Sequence, residues 1–299
     1  MPYAISILVI TLFLFSGCGK RPAPLTHYSD CSAGGVYAMN RAQCIDDTAL
    51  LEMLEPYPVI FVGDHHKSEE VHAFVASLIK GLNSRGYRVH LANEWFSPAD
   101  NAVLDTYASG EIDDGNFTQK VGWKKKAGYD FDLFAPIYHA VRETGGKLYG
   151  INLDKAARKK ISDANVTGMD EAERGFYRSL DLNVSAHQQL MRPFMDHCSH
   201  AKNGQTCAER MYRVQVAWDT KMGEESAKLA KEVLAVPQEK LVVFIGAMHL
   251  SSRLGVNMRF ARRCYLPQVT ILPAAQNSGG YPHAAAEFLY LLNPAPEPQ

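Results

Sequence analysis

"YPVIFVGDHH" occupies Tyr57–His66. Its first part is a run of aromatic and β-branched residues; its second begins with glycine and ends in two histidines. A short apolar run of this composition reads as a strand buried on both faces, as strands of parallel sheets are. The phrase returns as "KLVVFIGAMH" at Lys240–His249. Both runs end in Gly-x-x-His, and the histidines His66 and His249 are 183 residues apart (249 − 66). In an open parallel sheet, ligands bind beyond the carboxyl ends of the strands. The repeated ending therefore predicts two strands that bring His66 and His249 to one rim.

Three further runs extend the pattern: "YRVHLAN" (Tyr87–Asn93), "KLYGIN" (Lys147–Asn152) and "QVTILP" (Gln268–Pro273). Helical signals lie between them. In "SEEVHAFVASLIKGLNSRG", Ser68 precedes two acids and a helical apolar stripe. In "SPADNAVLDTYASG", Ser97 and Pro98 open a helix and Gly110 closes it. "DLFAPIYHAVRETGG" is a third helix. Strands alternating with helices imply an α/β fold, a mainly parallel β-sheet flanked by helices. Residues 163–237 have helical texture and no strand signal, and are expected to form an α-helical insertion or cap. "HAAAEFLYLL" (His283–Leu292) predicts a last helix, and residues 293–299 a disordered tail.

Composition is that of an ordinary globular chain: 299 residues, 46% apolar and 21% charged. A net charge of −1 gives no basic surplus for a nucleic-acid partner. "YAISILVITLFLFSG" (Tyr3–Gly17) has the length of a signal peptide, so residues 1–17 are expected to be removed. "FSGC" resembles a bacterial lipobox, which makes Cys18 a candidate lipidation site. Residues 18–50 are then a lipid-anchored tether and N-terminal segment, and 51–292 the folded domain. Export makes Cys31–Cys44 and Cys198–Cys207 candidate disulfides, with other connectivities open and Cys264 left over.

Each strong strand ends in polar residues: Gly63-Asp64-His65-His66, Asn93-Glu94-Trp95, Asn152-Leu153-Asp154 and Gly246-Ala247-Met248-His249. His66, His249 and Glu94 make a donor set for a divalent transition metal, with Asp64, His65 or Asp154 as further ligands. On a second reading, Glu94 is the general base of a metal-dependent hydrolase. The glycines are expected to let the backbone turn and approach a ligand. No Gly-x-Ser-x-Gly elbow occurs, which argues against a serine hydrolase.

Four stretches, "VIFVGDHHKSEEVH", "NEWFSPADNAVLDTYASGEID", "FAPIYHAVRETGGKLYGINLDKAARKKIS" and "VQVAWDTKMGE…VVFIGAMHLSSRLGV", together resemble the ChaN-like haem-binding lipoproteins over most of Pro58–Val256. The wider superfamily includes proteins similar to erythromycin esterases and Tiki-type metalloproteases. The resemblance implies a non-enzymatic haem carrier, lipid-anchored to a bacterial membrane, the outer membrane or cell surface in preference to the inner. Its implied partners are haem, a homodimer mate and a haem receptor or transporter. Haem needs an apolar slot, an axial ligand and polar groups for its propionates. In the insertion, His187, Met191 and Phe194 share one helical face; Tyr212, Gln215, Asp219 and Met222 share another. Tyr212 is the preferred axial ligand, with His187, His197 and Tyr177 as rivals. Met191 and Asp219 complete the candidate set, and Arg192, Arg210 and Arg213 are candidate propionate partners. The rim and this haem face are expected to be two distinct sites.

Overall fold

The computed structural model describes residues 25–26, 28, 31–195, 198, 204–275, 281–282 and 285–293. Its strands are β1 Leu25–Thr26, β2 Val36–Ala38, β3 Gln43–Ile45, β4 Val59–Asp64, β5 Arg88–Asn93, β6 Leu148–Gly150, β7 Glu239–Gly246, β8 Gln268–Ala275, β9 Tyr281–Pro282 and β10 Phe288–Leu292. Its helices are α1 Asp47–Leu54, α2 Glu69–Ser84, α3 Asn101–Ala108, α4 Asp114–Val121, α5 Trp123–Lys126, α6 Ala135–Glu143, α7 Lys155–Ser162, α8 Glu171–Arg178, α9 Ser185–Met195, α10 Gly204–Val233 and α11 Val256–Ala261.

Eight strands form one sheet in the order β3-β2-β10-β8-β4-β7-β5-β6. The six from β10 to β6 are parallel; β2 and β3 add an antiparallel edge. All six residues of β4 and all eight of β7 are buried, which is why both read as continuous apolar runs. Along β4 the side chains alternate between two cores. Ile60 and Val62 join Val75, Ile79 and Leu82 of α2 and Tyr138 of α6. Val59 and Phe61 join Met222 and Ala230 of α10 and Phe260 of α11 on the other face. Ser68 caps α2, its hydroxyl accepting the Val71 N–H, and Ser97 with Pro98 opens the turn before α3.

Two expectations need correction. Where the helix was expected in "HAAAEFLYLL", its described part gives a strand: Phe288–Leu292 is β10, parallel to β8 and antiparallel to β2. Alanine and leucine favour helix locally, but pairing on both sides and near-complete burial decide the matter. Nor is the segment before residue 51 external to the sheet, because residues 36–45 supply β2 and β3. The Cys31–Cys44 disulfide fastens this edge, and Cys198–Cys207 joins the segment after α9 to the start of α10. Cys264 is a buried free thiol. Residues 163–237 hold α8, α9 and α10, with no strand among the described residues. Cys18, His197 and the 294–299 tail lie outside the described residues. Among the described residues, no helix is long and apolar enough to cross a membrane.

Candidate functional site

The C-terminal ends of β4, β5 and β7 place Asp64, His66, Glu94 and His249 together. Glu94, just past β5, sits between the histidines. Its Oε1 is 3.6 Å from His66 Nε2 and its Oε2 is 3.6 Å from His249 Nε2. These gaps are too long for hydrogen bonds. Two donors that each stand ~2.1 Å from one tetrahedral ion are separated by roughly 3.4 Å, so each pair alone suits two ligands of one ion; the pairs use different oxygens of Glu94, and His249 flanks the tighter donor group rather than belonging to it.

Each histidine is backed by a carboxylate. His66 Nδ1–H donates to Asp64 Oδ2 at 2.7 Å, and His249 Nδ1–H donates to Asp219 Oδ1 at 2.6 Å. This fixes the tautomer that leaves each Nε2 lone pair facing Glu94, the arrangement found behind metal-ligating histidines. Donor atoms of Asp64, His66 and Glu94 lie within 4.8 Å of one another. The Asp64 oxygens also accept from His66 and from His72 Nε2 at 2.8 Å, so Asp64 orients its histidines and still keeps a lone pair on each oxygen for an ion. His72, which the strand-end motifs do not include, sits in the buried stripe of α2, and its Nδ1 donates to the Leu133 carbonyl. A histidine within a buried helical stripe was the available signal.

Gly63 and Gly246 serve differently from expectation. Neither has a positive φ; both are needed for space. A Cβ on Gly63 would stand 2.9 Å from Pro273 Cδ. One on Gly246 would stand 3.2 Å from His66 Cε1 and 3.4 Å from Glu94 Oε1, filling the gap between the donors. The Gly246 N–H also donates to Glu94 Oε1 at 3.0 Å. Trp95 packs its edge against His66, with ring centroids 4.7 Å apart. His65 is exposed, and Asp154 caps α7 by accepting the Ala157 N–H; neither joins the cluster.

Burial pushes the Glu94 carboxyl above the usual carboxylate range, against the pull of His249 and His66. Burial also opposes charge on both histidines, but Asp64 and Glu94 raise His66, and Asp219 and Glu94 raise His249. Asp64 and Asp219 are lowered despite burial because histidines donate to them. Three carboxylates share two rim histidines, and a bound cation would take over the balancing role of their protons.

Asp219 comes from α10, so the insertion reaches the rim and the two expected sites adjoin. Asp219 Oδ2 is 3.3 Å from His187 Nε2, and His187 Nδ1 is 3.3 Å from the Tyr212 hydroxyl. Beyond Tyr212 lies a cleft of about 250 Å³ lined by Met191, Phe194, Met195, Met211, Trp218 and Met248, among others. Burial pushes the Tyr212 phenol up to about 12. Arg210 lines the cleft, whereas Arg213 donates to the Ser162 carbonyl at 3.3 Å. Tyr177 packs in a separate cluster with Ile161 and Met169.

The fold has a solved counterpart in ChaN of Campylobacter jejuni, described with cofacial haem binding: TM-score 0.67, 15% identity, covering 85% of this chain and 95% of that one. A mutant erythromycin esterase, EreC, in an open conformation scores 0.45 at 12% identity, over 81% of this chain and 76% of that one. No curated protein sequence matches the chain. The family model for haem-binding uptake proteins, Tiki superfamily, ChaN, matches residues 50–260, and the chain belongs to that family.

Proposed function

We propose that the chain is an exported haem-binding protein that holds haem at the cleft between α9 and α10, with Tyr212 as axial ligand to ferric iron. The observation that carries this reading is the Tyr212–His187 pair at the edge of a methionine- and aromatic-walled cleft. The pair offers an oxygen ligand with an acceptor for its proton. The walls offer polarizable apolar contact for a flat ring, and Arg210 a cation for a propionate. At about 250 Å³ the cleft falls below the ~300–1,000 Å³ of sites that enclose a ligand. One face of the ring would stay outside, which suits a second copy of the chain on the open side. Family membership supports a carrier that passes haem to a receptor or transporter. Acylation of Cys18 would tether it to a membrane surface, preferentially the outer membrane or cell surface. Loss of palmitate labelling in Cys18→Ser tests that tether.

Haemin titration of the purified chain is expected to give a saturable Soret shift with the ligand-to-metal band of a tyrosinate. Tyr212→Phe should remove that band and weaken binding by at least about tenfold. No saturable shift in the wild type would end the haem reading; an unchanged band in the variant would end the ligand assignment.

The 3.6 Å spacing of the rim donors favours a second reading, a divalent-ion site usable for hydrolysis with Glu94 as ligand or general base. Metal content measured after chelator-free purification, and its loss in His66→Ala with His249→Ala, decides whether the rim holds an ion.

A further inference from the structure

Asp219 is fully buried and faces both His249 of the rim and His187, the neighbour of Tyr212. A carboxylate only accepts hydrogen bonds. The ring nitrogens that face it therefore carry their hydrogens. On His249 the hydrogen is on Nδ1, which leaves Nε2 open toward Glu94 and the rim. On His187 it is on Nε2, which leaves Nδ1 open toward the Tyr212 hydroxyl. One side chain thus holds the His249 nitrogen, which the Gln215 amide also reaches at 2.9 Å, by a hydrogen bond, and faces the His187 nitrogen at 3.3 Å without one.

The two oxygens are held unequally. Oδ1 receives His249 at 2.6 Å and the Gln215 amide at 3.1 Å. Oδ2 makes no hydrogen bond of ordinary length; His187 Nε2 at 3.3 Å and Arg259 Nη1 at 3.9 Å are its facing donors. Arg259 gives Nε to Thr220 and Nη1 to the carbonyls of Leu254 and Gly255, while its buried Nη2 has no hydrogen-bond partner among the described residues. The His187 side of the bridge is therefore the loose side, and whatever steadies Asp219 steadies it.

We propose that cation binding on the rim and haem binding at Tyr212 are thermodynamically linked, with Asp219 as the positioning residue that joins them. The proposal rests on both readings above, haem at Tyr212 and an ion on the rim. An ion on His249 Nε2 admits only the tautomer that donates from Nδ1 to Asp219. That holds the carboxylate in place, keeps His187 Nε2–H directed to Oδ2, and leaves His187 Nδ1 as acceptor for the phenol proton. Ordering this chain beforehand removes part of the cost of binding the second ligand. A dication in the same buried network also favours an anionic oxygen on Tyr212. Both effects have one sign: the ion tightens haem and, reciprocally, haem tightens the ion.

The test is haemin titration of the full chain, chelator-stripped and then with saturating Zn(II), with Zn(II) affinity measured separately by calorimetry. The wild type is expected to bind haemin about tenfold more tightly with the ion present. In Asp219→Asn that ratio should fall to about one, and Zn(II) affinity should drop ten- to a hundredfold. In His187→Gln the ratio should also fall to about one while Zn(II) affinity stays as in the wild type, because His187 touches no rim donor. Loosened packing alone would not remove the ratio while sparing ion affinity. Equal haemin affinity with and without the ion, or failure of Zn(II) to bind, overturns the linkage and leaves the haem reading standing. Absence of saturable haemin binding overturns both.

Discussion

The two ends of the parallel strands each bury ionisable groups, but they do so in opposite ways. At the N-terminal end, Lys240 donates to the carbonyls of Leu54, Glu55 and Tyr57 at 2.9–3.1 Å and lies over the Tyr87 ring. Beside it, Glu239 receives both Arg88 and His90, and His90 Nδ1 accepts the Lys147 N–H. Each of these four ionisable groups has found a partner. At the C-terminal end, each Glu94 oxygen faces one histidine nitrogen across 3.6 Å. Burial of charge is common to both ends, and only unspent donor capacity separates them. The saturated end has no donor left for a ligand; the unsaturated end has, which is what the readings above rest on.

The largest expected effect lies at the saturated end. Lys240→Met leaves three carbonyl acceptors without their donor, and should lower unfolding free energy by about 3 kcal/mol. Ion binding at the rim should not change. The pH response has a defined sign. Burial, only partly countered by Glu55, lowers Lys240 from 10.5 to about 8. Below pH 8 the lysine is charged in both states and the burial penalty is fully present. Between about 8 and 10.5 the folded chain sheds the proton while the unfolded chain keeps it, so this residue's contribution rises with pH. Urea midpoints of the wild type should therefore gain on those of Lys240→Met across that window. A constant difference would mean that Lys240 titrates normally.

At the unsaturated end the signs reverse. Glu94→Gln removes a charge that burial disfavours and keeps an oxygen for the Gly246 N–H. The ion-free protein should become more stable by about 1 kcal/mol. Ion affinity should fall at least about a hundredfold, since the residue between the two histidines is lost. A loss of stability comparable with that of Lys240→Met would show that the rim is another saturated network.

The sequence made the rim legible and hid what stands behind it. Strands β4, β5 and β7 were readable because burial on both faces writes a continuous apolar run, and His66, Glu94 and His249 because they follow those runs directly. β2 and β3 have three residues each, too short for a period to register. β10 reads as helix because Ala and Leu favour that state until tertiary pairing overrides it. Helical spacing puts Asp219 on the Tyr212 face of its helix. Its meeting with His249 depends on how α10 lies across the sheet, and no local pattern records that.

The smallest effect tests where the constellation ends. "GDHH" offers two adjacent histidines, and spacing alone does not choose between them. Adjacent residues at a strand end point in opposite directions: His66 turns inward to Asp64 and Glu94, and His65 is left exposed. His65→Ala should therefore change stability by no more than about 0.5 kcal/mol and ion affinity by less than about twofold. His66→Ala removes one of the three facing donors and, by the same argument, belongs with Glu94→Gln. A tenfold loss of ion affinity in His65→Ala would bring that side chain inside the rim. The boundary between saturated scaffold and open site would then fall at a different residue of the same tetrapeptide.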